Sequence, residues 1–302
     1  MQTDNMNSFL SAAIQLNSQP DLSYNLKQCH LYIQKAAEQG ADFIALPENF
    51  AFLGDDAEKN RQAPRICENV LSVFPEWAKE TKSHILLGGF PIPHKMTSSP
   101  GQPFQAGGAS GNKVLNRSVL ISTTGEIVAQ YDKIHLFDIS LSAEEHYRES
   151  DQVAAGELET VVARASLDKN GGQKKNRSSQ NVNIGMSICY DIRFPELYRQ
   201  LTLKQADVLT IPAAFTRPTG EAHWEVLLRA RAIENSCYVV APAQTGLHGK
   251  SRKTYGHSMI IDPWGRILAD AGTEPGIALA RIDRDHLKEV RRKLPSLQHR
   301  VL

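Results

Sequence analysis

Most of the features that mark a special class of protein are missing from this 302-residue sequence. Charge of one sign is missing: 34 Lys and Arg stand against 33 Asp and Glu, for a formal net charge of +1. That balance removes the argument for a nucleic-acid partner or an anionic membrane surface. No apolar run is long enough to cross a bilayer. Residues 1–5 lack the basic start and apolar core of a secretory signal, so the expected location is cytoplasmic. Cysteine is scarce. Cys29, Cys67, Cys189 and Cys237 form no C-x-x-C pair, which excludes a disulfide framework and a zinc ribbon. The ten histidines include no H-E-x-x-H or other paired-ligand spacing, so neither a metal nor a cofactor is expected. Residues 246–251 end like a phosphate-binding loop, but the gap between the glycines is too short and a hairpin follows instead of a helix. What remains is an ordinary globular composition, 41% hydrophobic and 22% charged, in a chain long enough for one large domain.

Alternation of strand and helix organises the chain. Residues 9–16 read as a strand. A helix capped by Ser23 follows, with Leu26, Cys29, Ile33 and Ala37 on its inner face and Gly40 at its end. Residues 42–46 form a buried strand that delivers Pro47-Glu48-Asn49. The pattern continues with a helix over 65–79, a strand over 84–90 and a hairpin over 114–122 and 127–131 that ends at Asp132-Lys133. A strand over 182–188 runs into Cys189. Helices over 194–204 and 222–235 and strands over 207–212 and 237–242 follow, then a hairpin over 257–261 and 266–269, a strand over 277–282 and a helix over 285–294. Residues 91–112 and 168–181 are rich in Gly, Ser and Pro or in polar side chains and read as flexible insertions. The basic residues of the second insertion read as a solvated loop. The whole, 1–302, reads as a single α/β domain of mixed sheets covered by helices.

Three polar residues, Glu48, Lys133 and Cys189, sit just past the ends of buried strands, where open α/β sheets place their chemistry. A thiol needs a base or a cation before it attacks. Glu48 can take the proton, and Lys133 can stabilise a thiolate or the oxyanion that forms on a substrate carbonyl. A carboxylate and an ammonium in one pocket also hold each other ionised. Taken singly, each residue is weak evidence: a cysteine at a strand end is more often a packed thiol. Gly185-Met186-Ser187-Ile188-Cys189 lacks the final glycine of a nucleophile elbow, which leaves Ser187 as a strand residue.

The wording around the three residues carries more. Leu46-Pro47-Glu48-Asn49-Phe50, then Tyr131-Asp132-Lys133-Ile134-His135-Leu136-Phe137-Asp138, then Ile188-Cys189-Tyr190-Asp191-Ile192-Arg193-Phe194-Pro195-Glu196-Leu197 resemble, in order, the three signature blocks of the nitrilase (carbon–nitrogen hydrolase) superfamily. The resemblance covers residues from about 9 to 300. It implies a four-layer α-β-β-α sandwich that pairs through its helices into homodimers or larger assemblies. It also implies a Glu48-Lys133-Cys189 triad and a second glutamate after the lysine. Glu149 in Tyr147-Arg148-Glu149-Ser150-Asp151 is the candidate, with Glu144 and Glu145 as alternatives. The C-terminal half, with Ala213-Ala214-Phe215, residues 222–234, Tyr255-Gly256-His257-Ser258 and Ala243-Gln244-Thr245-Gly246, is similar to the Nit branch, and within it to amidases of deaminated glutathione. A Cys-Trp-Glu block, found in nitrile-cleaving relatives, is replaced by Cys189-Tyr190-Asp191.

The expected reaction is hydrolysis of a small-molecule amide through a Cys189 thioester, with ammonia departing from R–CO–NH2. Glu48 is base and then acid, Lys133 and the backbone N–H of Tyr190 hold the oxyanion, and Glu149 orients Lys133. For a keto-acid amide, Arg193 and Arg217 are candidates for the anionic end, with Phe194, Phe215 and Thr216 as walls. Arg193 and Glu196 could instead pair to hold the turn. Other readings are an ω-amidase or N-carbamoyl hydrolase, a non-catalytic interaction protein on the same fold, and a redox role for a low-pKa Cys189.

Overall fold

The computed structural model describes residues 7–94, 96–97, 105–106, 113–140, 146–167 and 181–301. Two sheets form the inner layers. In the first, Ser8–Gln15, Phe43–Ala45 and His84–Pro93 run parallel. Gly276–Asp283 closes one side antiparallel to Ser8–Gln15, and Val114–Ile121 lies antiparallel to His84–Pro93 on the other. In the second, Asn181–Met186, Val208–Thr210 and Tyr238–Ala241 run parallel, flanked by antiparallel Val162–Ser166 and Met259–Ile261. Parallel strands buried on both faces need continuous apolar sequence, not alternation, and Phe43–Ala45, Val208–Thr210 and Tyr238–Ala241 are buried at every position. Phe9, Ala13, Phe43, Leu86 and Leu120 of the first sheet and Val182, Ile184, Met186 and Leu209 of the second belong to one apolar cluster. This is the four-layer α-β-β-α sandwich.

Helices α1 (Leu22–Glu38) and α2 (Asp56–Thr81) cover the first sheet; α3 (Pro195–Leu203) and α4 (Arg217–Asn235) cover the second. Their boundaries differ from the sequence expectations at places that matter for the site. Asp21, not Ser23, caps α1, because its carboxylate reaches the Tyr24 N–H at 3.0 Å. Cys29 and Ile33 are buried and Leu26 and Ala37 half-buried against the same core, as expected, and Leu22, Asn25 and Ala36 join them on the inner face. The second helix begins at Asp56, nine residues before the expected start at 65, and carries Pro64 and Pro75 inside it. A proline inside a helix costs about 3 kcal/mol. The buried face of Ala63, Ile66, Cys67, Val70, Phe74 and Ala78 offsets that at about 1.5–3 kcal/mol for each large side chain. Asp55 caps the early start through the Glu58 N–H at 2.8 Å. Helix α4 likewise starts at Arg217, with Pro218 in its first turn, where the missing N–H is no loss. Pro91 to Pro93, read as part of an insertion, extend the His84–Pro93 strand, and Asn181 opens the next one. The rest of both insertions lies largely outside the described residues.

A hairpin of Thr245–His248 and Arg252–Tyr255 lies beside the chain that leaves the first strand. His248 fixes it. Its Nδ1 is 2.7 Å from the Ser18 carbonyl and its Nε2 is 2.6 Å from the Thr254 hydroxyl. A carbonyl only accepts, so Nδ1 carries the proton and Nε2 accepts from Thr254. Burial lowers the His248 pKa to about 4, the Ser18 carbonyl opposing and the Arg252 charge adding. A histidine depressed in the folded state stabilises the fold above its unfolded value of about 6.5. That contribution, about 3 kcal/mol, is lost as pH falls from there towards 4. Urea unfolding at pH 7 and 4.5 is expected to show a smaller loss for His248→Gln, which cannot charge, than for the parent chain. Equal losses would remove His248 as the cause.

Candidate active site

Cys189 sits where the Asn181–Met186 strand gives way to a 3₁₀ turn, Cys189–Arg193. Its φ is +48°, a left-handed conformation that costs a non-glycine residue of order 1 kcal/mol. Its surroundings hold it there. The Cys189 N–H donates to the Pro212 carbonyl at 2.9 Å. Two residues on, the buried Asp191 carboxylate accepts from the Ile188 N–H at 2.8 Å, the Tyr131 hydroxyl at 2.7 Å and His135 Nδ1 at 2.7 Å. Buried Arg231 of α4 donates twice to the Ile192 carbonyl, at 2.9 and 2.6 Å. Tyr131 and His135 flank Lys133, so Asp191 ties the cysteine turn to the lysine segment. Ser187 lies just past the end of the strand rather than in it, and is buried and bonded to Tyr198 and the Thr210 carbonyl.

Lys133 and Glu48 are almost wholly buried. The Lys133 ammonium donates to Glu48 Oε1 at 3.0 Å and to Glu149 Oε1 and Oε2 at 3.1 and 2.8 Å. Glu149 is thus the glutamate that meets Lys133; Glu144 and Glu145 lie outside the described residues. Asn116 bridges the two carboxylates, its Nδ2 2.9 Å from Glu48 and 3.2 Å from Glu149. The Ala214 N–H reaches Glu48 Oε2 at 3.1 Å, and the Phe137 N–H reaches Glu149 Oε2 at 2.8 Å.

The charges set the protonation states. Burial alone would raise the Glu48 carboxyl, but the Lys133 ammonium, its hydrogen bond and a hydrogen bond from Cys189 outweigh it and hold Glu48 below the ordinary carboxylate value. Burial would lower Lys133, but the Glu149 and Glu48 charges push it well above its ordinary value. The Cys189 thiol is raised well above 9.0, first by burial and then by the Glu48 charge, with Lys133 opposing. The resting cysteine is therefore a neutral thiol beside an ionised carboxylate. This corrects the expectation of a low-pKa thiol and, with it, the redox role built on one.

Cys189 lines a narrow cleft together with Glu48, Lys133 and Glu149. Tyr190, Phe215 and Thr216 lie on its wall, as do Phe137 and Tyr147. Three of the anticipated substrate contacts do not lie there. Arg217 opens α4, is 63% exposed at its side chain and bonds Glu221 one turn on at 2.8 Å. Phe194 stacks flat on His135 with ring centroids 3.6 Å apart. Arg193 packs over the Tyr190 and Phe215 rings and donates to His223 at 3.4 Å, not to Glu196. Sequence reasoning missed Asn116, Asp56, Lys59 and Arg252. Asn116 is hidden inside a buried strand. Asp56 and Lys59 reach the cleft only because α2 starts early. Arg252 comes in on the hairpin that His248 fixes.

The family description "carbon-nitrogen hydrolase" matches residues 10–292. A deaminated glutathione amidase from a Synechocystis strain is 48% identical over 98% of this chain and 99% of its own. The human protein of the same name is 40% identical over 96% of this chain and 82% of its own. The crystal structure of the C. elegans NitFhit protein superposes with a TM-score of 0.83 at 33% identity, over 97% of this chain and 65% of that one. The match of family and fold, over a buried Glu-Lys-Glu cluster beside a cysteine, leads to one statement of kinship. The chain is a hydrolase of non-peptide carbon–nitrogen bonds and belongs to the carbon–nitrogen hydrolase family of the nitrilase superfamily.

Proposed function

We propose that the chain hydrolyses deaminated glutathione through a thioester on Cys189. The observation that carries the reaction is the buried Glu48–Lys133–Glu149 cluster that lines one cleft with Cys189, Lys133 keeping Glu48 ionised beside a neutral thiol. The substrate comes from the relatives' names and from a cleft whose lining includes Arg252 among its cationic side chains. Cys189 Sγ attacks the amide carbonyl as Glu48 takes its proton. Lys133 and the Tyr190 N–H receive the oxyanion, an interaction whose loss typically costs about 3–4 kcal/mol. The tetrahedral adduct breaks its C–N bond, and Glu48 returns the proton to the leaving nitrogen. Water then adds to the thioester with Glu48 as base, the C–S bond breaks, and the acid leaves as the thiol reforms. In deaminated glutathione the scissile nitrogen belongs to the cysteinyl residue. The leaving group is then the dipeptide cysteinylglycine, and the acid is 2-oxoglutarate. Ammonia leaves only from primary amides, which narrows the expectation drawn from the sequence.

We further propose that the chain works in the cytoplasm as a homodimer. Four buried free thiols suit a reducing compartment. Exposed Leu203 of α3 and Val226 and Ile233 of α4 offer apolar surface for a helix-to-helix contact. Sedimentation is expected to give twice the chain mass, and charged substitutions at Val226 and Ile233 to give the single mass.

Formation of 2-oxoglutarate from deaminated glutathione is expected to fall at least about 10³-fold in Cys189→Ala and Glu48→Gln. Glu149→Gln, which keeps one acceptor for Lys133, is expected to lose about 10–10²-fold. Full activity in Cys189→Ala would end the proposal. The rate is expected to be flat from about pH 5 to 9, because Glu48 is ionised below the ordinary carboxylate value while Cys189 and Lys133 deprotonate only above 9.0. A tenfold rise of kcat/KM per pH unit in that window would mean instead that a free thiolate is the attacking species.

A further inference from the structure

The catalytic residues explain the floor of the cleft and leave one wall side chain unexplained. Arg252 begins the second strand of the hairpin, opposite His248 in register, and reaches the cleft. Its guanidinium carbon lies 5.7 Å from the centroid of the Tyr147 ring. Its Nε–H is buried and has no hydrogen-bond partner among the described residues. The other cations on the cleft are engaged. Lys133 is held by Glu48 and Glu149, and Lys59 donates to Asp56 at 2.8 Å and Asn49 at 3.3 Å. Arg148 is 74% exposed at its side chain and faces Asp151 at 3.9 Å. A buried donor without a partner costs about 1–3 kcal/mol, so the Arg252 Nε–H stands ready for an acceptor that the described residues do not supply.

The chemistry of that acceptor follows from charge and reach. A guanidinium fork matches a carboxylate in two parallel hydrogen bonds, and the Tyr147 ring beneath it keeps the fork in plane. Arg252 lines the same cleft as Glu48, Lys133 and Cys189, so the group faces the reacting centre. In a 2-oxoglutaryl amide the keto-acid carboxylate lies four C–C bonds from the scissile carbonyl, about 5 Å when extended. The glycine carboxylate of the dipeptide side lies two residues out, beyond about 7 Å. The floor itself, two carboxylates around one ammonium, would repel the nearer carboxylate without a counter-charge.

The geometry points to Arg252 as the residue that receives the keto-acid carboxylate, and so as the residue that selects 2-oxo-acid amides over neutral amides of equal length. It rests on the amidase reading and moves the anion site from Arg193 and Arg217 to the hairpin. The hairpin suits the task, because His248 ties its first strand to Ser18 and Thr254 and so fixes the position of the neighbouring strand.

Two measurements test it. The first compares kcat/KM for α-ketoglutaramate and for pentanamide, its neutral counterpart of equal length. Loss of a charge-assisted pair costs about 1.5–3 kcal/mol, so Arg252→Gln is expected to lower the ratio of the two roughly 10–100-fold, mainly through KM of the anionic amide. Arg252→Lys is expected to fall between. An unchanged ratio, with both amides slowed alike, would overturn the assignment and leave Arg252 a structural or Glu48-tuning residue. The second is calorimetric titration of 2-oxoglutarate into Cys189→Ala, with and without Arg252→Gln. Affinity at least tenfold weaker in the double variant is expected, and equal affinity overturns the assignment. Because this titration needs no turnover, a chain that hydrolyses nothing but binds 2-oxoglutarate through Arg252 would refute the amidase function and keep the anion site.

Discussion

One buried ammonium organises this protein. Lys133 stands between Glu48 and Glu149, and its desolvation alone would cost several kcal/mol. Buried ions persist when hydrogen bonds from their surroundings satisfy the charged groups themselves. Here Asn116, the Ala214 N–H and the Phe137 N–H complete the carboxylates. The members of the cluster, Glu48, Asn116, Lys133 with Phe137, Glu149 and Ala214, come from five separate segments of the chain, including the ends of strands in both sheets. The cluster can therefore be satisfied only when the two sheets face each other in this register. Removing one member would leave an uncompensated charge, so the same contacts that serve chemistry also specify how the sandwich closes.

The cluster also decides how the cysteine works. A thiolate beside two carboxylates would be the third negative charge around one ammonium. The molecule avoids that by storing the proton on sulfur and the negative charge on Glu48. Charge then moves only as the S–C bond forms, and the new anion appears on the substrate oxygen, where Lys133 can meet it. Asp191 and Arg231 make this reliable by holding the cysteine turn against the lysine segment and against α4.

Legibility in the sequence follows contiguity. Glu48, Lys133 and Cys189 each lie in an unbroken run of distinctive neighbours, and for Glu48 and Cys189 the position after a buried strand can be read from apolar runs alone, whereas the strand before Lys133 is only half-buried. The α/β alternation is legible for the same reason. What depends on distance along the chain is not. Asn116 sits beside Arg117 and Ser118 in a buried strand, and nothing local says that its amide faces two carboxylates from elsewhere. Pro64 hides the early start of α2, and with it Asp56 and Lys59, because helix propensity argues for a break where tertiary burial wins. Arg217 looks like a pocket residue only if α4 begins later than it does; once Pro218 sits in the first turn, the arginine turns outward to Glu221.

Gly88 and Gly89 lie side by side in the strand next to Glu48. A Cβ on Gly88 would meet the Pro47 carbonyl oxygen at 2.1 Å, and one on Gly89 would meet Asn116 Oδ1 at 2.0 Å. The backbone thus comes closest at the point where the base-bearing loop and its bridging amide press on the sheet. Every missense change that a single nucleotide can make in a glycine codon adds a Cβ. For this pair there is no conservative neighbour in the genetic code. Drift can reshape the outer walls of the cleft step by step, but it finds no first step through the glycines behind the base.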